Sequence, residues 1–139
     1  MFGVAHGQSL KMIAVCLRKV EMNQPGPGYY RCMRILVAHN RYHYRGGEDT
    51  VVDAEVSLLQ RQGHEVLIYS RDNHELARMR RRDAAIGTLW SRQTEADIQR
   101  LHRTFRPDIL HAHNTFPLIS PSLYAVAHRL KIPVVQTLH

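Results

Sequence analysis

Cysteine is scarce in this sequence, and long apolar runs are missing. The 139 residues include two cysteines, Cys16 and Cys32, outside any C-x-x-C spacing. A pair of this kind points to reduced thiols rather than a disulfide framework or a redox motif. No apolar stretch approaches the roughly 20 residues that a membrane-spanning helix needs. The short run 12–17 behind Lys11 is followed by Arg18 and Lys19 and lacks a convincing small-residue cleavage site, so secretion is not expected. G-x-G-x-x-G, a Gly-Lys-Ser/Thr P-loop and a G-x-S-x-G elbow are all missing, which argues against dinucleotide, P-loop and serine-hydrolase chemistry. No internal repeat or low-complexity tract occurs. The basic residues show no aromatic interleaving of the kind a nucleic-acid platform uses, so no nucleic-acid partner is expected.

What remains suits one domain with a real core, since 44% of the residues are hydrophobic. A second large domain does not fit. The formal charge is +7; residues 1–32 hold four basic residues against one acidic, and the rest 15 against 11. The folded part is thus mildly basic, which permits an anionic partner without choosing one.

Residues 1–32 show no sustained period and end in the Pro/Gly cluster QPGPG, so they read as a poorly ordered extension. A start of translation at Met33 also fits, because MRILVAHN opens as many cytosolic α/β domains do. Residues 34–39 form an apolar strand, and a loop with Gly46 and Gly47 leads into a helix over 48–62 that carries Val51, Val52, Val56 and Leu59 on its core side. Gly63 ends that helix, and 65–70 supply a second strand. Residues 71–90 mix Leu76, Met79, Ile86, Leu89 and Trp90 with Arg78, Arg80, Arg81 and Arg82, a pattern of interfacial helices as well as of solvated surface helices. The surface helix is favoured, because Asp83 interrupts a short run. A helix over 91–105 follows, with Ile98, Leu101 and Phe105 on one face. Residues 108–112 and 133–138 are apolar runs that suggest parallel strands covered on both sides. Between them, Ser120 as N-cap and Pro121 as first residue open a helix with Leu123, Val126, Ala127 and Leu130 at helical spacing.

The order predicts a doubly wound, Rossmann-like α/β domain with four parallel strands in spatial order 2-1-3-4. Ligands of such sheets sit at the carboxyl ends of the strands, where the covering helices switch sides. There the loops 41–48 and 111–116 face one another. Gly46 and Gly47 permit positive φ and close backbone approach before a helix N-terminus, where a phosphate can bind, although a bare Gly-Gly is first of all a tight turn. His111 and His113, two apart at a strand end, can begin a zinc site, with His39 on the next strand as a third ligand. No Asp or Glu with evident ligand spacing completes the set, so no metal is expected. His64, His74, His102 and His128 read as surface or packing residues.

Taken together, MRILVAHN, RGGED, GHEVLIYSRDN, TLWS, RPDILHAHNTFPLISPS and PVVQTLH cover residues 33–139 in order and spacing. On these the chain resembles the N-terminal domain of a GT-B glycosyltransferase of family 4. The resemblance implies half of a GT-B architecture and transfer of a sugar from a UDP- or GDP-sugar to a glycan or lipid-linked acceptor. Retention of configuration is implied, with neither metal nor cofactor. It also implies that Gly46 and Gly47 approach the donor diphosphate, that His113 and Asn114 line the pocket, and that His139 lies beside the reacting sugar as the catalytic histidine. The donor-binding C-terminal domain of the family is expected to be absent from these 139 residues, which by themselves should be inactive. The alternatives are a stand-alone noncatalytic binding domain or a truncated product. The expected location is the cytoplasm; peripheral contact with the anionic inner face of the membrane is the alternative that an interfacial 71–90 segment would bring.

Overall fold

A computed structural model describes residues 31–41, 46–73, 75 and 79–138. Almost all of the expected N-terminal extension lies outside the described residues, as do Leu76, Arg78 and His139. The elements run β1 (Arg34–Arg41), α1 (Gly47–Arg61), β2 (Glu65–Asp72), α2 (Arg81–Leu89), α3 (Arg92–Thr104), β3 (Ile109–Ala112), α4 (Ser122–Arg129) and β4 (Val134–Gln136). All strand pairs are parallel, and the sheet order is β2-β1-β3-β4. This is the doubly wound α/β fold that the sequence predicts.

Side chains alternate along a strand, so the apolar run of β1 feeds two layers at once. Ile35 and Val37 join Ile109 of β3 and Val135 of β4 against Val52, Val56 and Leu59, the buried stripe of α1. Leu36, Ala38, Leu110 and Ala112 face the other way, onto Ile98 of α3 and Leu123, Val126 and Ala127 of α4. Leu36, Leu110, Ile98 and Leu123 are wholly enclosed, and each contributes about 1.5–3 kcal/mol by leaving water. The helices therefore switch faces between β1 and β3.

Local chemistry fixes the helix ends. Gly63 takes φ 85°, and the bonds Gly63 N–H to Gln60 O (3.0 Å) and His64 N–H to Leu59 O (3.1 Å) close α1 in a Schellman arrangement that favours glycine at this position. Ser91 caps α3 by accepting the Thr94 N–H at 3.2 Å. The start of α4 differs from expectation, since the helix begins at Ser122, with Pro121 before it. The reason is that Ser120 adopts φ 61° and its Oγ accepts the Ser91 N–H at 2.9 Å. Its contact with the Ser122 N–H is the longer one, 3.4 Å. Ser120 thus ties the starts of α3 and α4 together instead of simply capping α4.

A second correction concerns β4, which is not covered on both sides. It pairs only with β3, Val135 alone is buried, and Val134 and Leu138 are exposed. Helix α2 buries none of its residues, leaving Ile86 66%, Leu89 76% and Trp90 44% exposed. Among the described residues, no helix is long and apolar enough to cross a membrane.

Candidate functional site

The carboxyl ends of β1 and β3 lie side by side at the point where the helices switch faces. The ladder continues one step past β3, with His113 N–H donating to Ala38 O (3.0 Å) and Asn40 N–H to Asn114 O (2.7 Å). Alternation then decides what each strand end meets. His39, in phase with Ile35 and Val37, points toward α1, where its Nε2 lies 2.9 Å from Asp49 Oδ1. Asn40, in phase with Leu36 and Ala38, points the other way. Its Nδ2 donates to Asn73 Oδ1 (2.8 Å) and to Phe116 O (2.9 Å), which joins the segments following β1, β2 and β3.

Asp49 occupies the first turn of α1 and is buried. Its Oδ2 accepts the Gly46 N–H at 3.1 Å, so one carboxylate fixes both the glycine loop and the His39 ring. Burial alone would raise its pKa, but the bonds from His39 and the Gly46 N–H, with the nearby charges of His39 and Arg41, bring it below the ordinary value.

Gly46 and Gly47 do not use the positive φ that glycine permits. Gly46 is extended at φ −107°, Gly47 is the first residue of α1, and a Cβ built on Gly47 meets nothing within 4 Å. Neither the backbone nor the packing of the described residues demands glycine at 47. The first amides of α1, beginning at Gly47, lack intrahelical acceptors.

The second polar group lies deeper. His111, in phase with Ile109, and His113 both face α1, with ring centroids 4.2 Å apart. Between them comes Glu55, whose Oε2 is 3.1 Å from His113 Nε2 and whose Oε1 is 4.0 Å from His111 Nδ1. His111 Nε2 meets Thr137 Oγ1, just beyond β4, at 2.9 Å. Exposure of the three is 4% for Glu55, 2% for His111 and 3% for His113. His113, expected to line a pocket, is therefore enclosed against α1. Asn114 is half-buried and shapes the turn, its Oδ1 accepting the Phe116 N–H at 3.1 Å. The fold thus brings Gly46, Gly47, His113 and Asn114 to one end of the sheet. His139, two residues past Thr137, lies outside the described residues.

A family model described as Glycosyltransferase Family 4 matches residues 45–139. The chain belongs to glycosyltransferase family 4. No curated protein and no solved structure matches it. The matched span of this family 4 domain holds the glycine pair, Asp49, Glu55, the His111–Asn114 stretch and His139, whereas His39 and Asn40 precede it.

Asn40, Asp49, Glu55 and Thr137 were not picked out as site residues from sequence. Two of them carried a signal. Asp49 and Glu55 fall in phase with Val52, Val56 and Leu59 on the apolar stripe of α1, and an acid on such a stripe needs a partner in the core. A separate groove of about 830 Å³ runs along the edge strand β2, lined by Tyr69, Arg71, Glu75, Asp97 and Arg100 among others. Arg71 and Glu75, both in its lining, form an ion pair.

Proposed function

We propose that this glycosyltransferase domain forms the acceptor-side half of a retaining, metal-independent sugar transferase, with a UDP- or GDP-sugar as donor and a glycan or lipid-linked molecule as acceptor. The observation that carries the reading is the N-terminus of α1, which begins at Gly47 with no described atom within 4 Å of a Cβ built there, in a domain of this family, at the switch point of its sheet. Amides at a helix N-terminus suit a diphosphate, and their contribution grows as negative charge develops on the leaving group. Asp49, which shares the first turn of α1 with Glu48, directs its charge to His39 and the Gly46 N–H, which reduces its repulsion of an incoming phosphate. Asn114 supplies a polar wall and His139 acts beside the reacting sugar. A second α/β domain completes the donor site, because an open crevice neither orients the donor nor excludes water. The domain works in the cytoplasm at an anionic membrane surface, a role supported by Ile86, Leu89 and Trp90 standing exposed beside Arg80, Arg81 and Arg82.

The test joins residues 1–139 to a family 4 donor-binding domain and compares Gly47 with Gly47→Ala. The substitution should leave melting unchanged or raise stability by up to about 1 kcal/mol, and raise the KM for the nucleotide-sugar about tenfold or more by placing a methyl group in the diphosphate's path. Residues 1–139 alone should show no transfer. Robust turnover by them, or an unchanged KM in Gly47→Ala, would overturn the reading. Binding without transfer in the joined protein would instead favour a noncatalytic binding domain.

A further inference from the structure

Glu55, His111 and His113 make an enclosed donor set between α1 and the end of β3. We propose that these three side chains hold a structural divalent cation, of the zinc or cobalt class, which clamps α1 to the end of β3. Each offers one ligand atom, and the three atoms lie within 4.8 Å of one another. Bonds of about 2.0–2.2 Å in tetrahedral geometry separate ligand atoms by about 3.3–3.6 Å. The 3.1 Å from His113 to Glu55 Oε2 and the 4.0 Å from His111 to Glu55 Oε1 lie on either side of that span but involve different carboxylate oxygens, so a rotation of the Glu55 carboxyl with small ring adjustments brings one oxygen and both nitrogens onto one ion. Two imidazoles and one carboxylate form a mixed nitrogen and oxygen set of the kind zinc accepts.

The surroundings favour a cation. A carboxylate enclosed between a helix and a sheet is favoured by a nearby positive charge, which a metal ion at this position would supply. Thr137 acts as an orienting partner: by engaging His111 Nε2 it turns Nδ1 toward Glu55, the way outer groups fix the ring of a metal-bound histidine. His39 stands edge-on to His113 with centroids 6.2 Å apart and is held by Asp49 instead of joining the set. The ligands come from α1 and from the β3 end, so an ion here links the helix that begins at the glycine loop to the strand that ends at Asn114. Being enclosed, it is a structural site and takes no part in the proposed transfer.

The test uses residues 1–139, stripped by chelator and titrated with cobalt(II). One equivalent should give visible d–d bands of a tetrahedral ion, zinc should bleach them stoichiometrically, and zinc should raise the melting temperature. X-ray absorption of the zinc form should show two imidazoles and a carboxylate oxygen. Thr137→Ala keeps all three ligands and should weaken the ion about 10–100-fold, and Glu55→Gln should abolish the bands. Ten histidines are present, so binding elsewhere needs exclusion: bands that persist unchanged in both Thr137→Ala and Glu55→Gln would overturn the assignment. Failure of the wild-type chain to retain either metal, with melting insensitive to zinc, would overturn it as well and leave a shared proton in the cluster. None of these readouts depends on sugar transfer, so the result stands whether or not the proposed activity holds.

Discussion

Asn40→Ala should loosen the entire switch point, and the size of the effect can be worked out. Asn40 is wholly enclosed, and its Nδ2 makes two bonds, to Asn73 Oδ1 and Phe116 O. Truncation removes both and leaves the two acceptors without that donor. Buried hydrogen bonds each contribute about 0.5–1.5 kcal/mol net, and a stranded partner costs about 1–3 kcal/mol. Both acceptors lie in a part-buried setting where water replaces some of the loss, so a total near 3 kcal/mol is expected. At about 4 °C per kcal/mol for a domain of this size, the melting temperature should fall by about 12 °C. Thermal and urea unfolding of both chains measure this directly, and amide exchange across 113–118 should accelerate together with that at 71–73. A fall of less than about 3 °C would refute Asn40 as the tie between the three segments. Asn40→Asp sharpens the test, since it sets an acceptor against two acceptors and buries a charge. The new carboxyl should have a raised folded-state pKa, so its penalty is fully present above that value and is relieved as pH falls through it.

Three further outcomes are expected. Asp49 has a folded-state pKa below its ordinary 3.8, so its stabilisation is present above pH 3.8 and is lost as pH falls through the lower, folded value; the wild-type advantage over Asp49→Asn in urea unfolding should shrink over that acid range and stay constant above it. Trp90→Ala should weaken binding to anionic vesicles several-fold, with high salt weakening both chains; equal retention on neutral and anionic vesicles would show α2 to be a solvated surface helix. In the joined, two-domain protein, His139→Ala should lower the turnover number about tenfold or more, at least about 1.4 kcal/mol of barrier, while changing donor binding less. Lowered melting with unchanged turnover would make His139 a packing residue.

Much of the fold was legible because it rests on short-range periodicity. The apolar run of β1 and the 3.6-residue stripe of α1 each name one element, Gly63 marks where that helix ends, and the alternation of strands with helices points to the doubly wound sheet and its order. What failed depended on distant partners. Ser120 looks like a helix cap until Ser91, 29 residues earlier, takes its oxygen. The run 133–138 looks buried because hydropathy does not say that β4 pairs on one side only.

The candidate site was half legible for a related reason. Strand alternation predicts that His39 and His111 share a face, but not which helix covers that face. With α1 placed there by the sheet order, the acids on its stripe become partners: Asp49, in the first turn, reaches His39 on β1, and Glu55, nearly two turns on, reaches His111 and His113 beyond β3. The opposite phase of the same strand ends in Asn40, whose amide gathers the segments after β2 and β3. One residue step along β1 thus separates a charged anchor on the α1 side from a neutral one on the α3 and α4 side. The two anchors differ in what disturbs them. Acid acts on the His39–Asp49 pair, because its acceptor is a carboxylate with a lowered pKa, whereas Asn40 has no titrating group. As pH falls below 3.8 the glycine loop should therefore loosen before the 113–118 turn does, and amide exchange at Gly46 and at Phe116 followed against pH separates the two. Loosening of both together would mean that the faces are coupled through the strand itself.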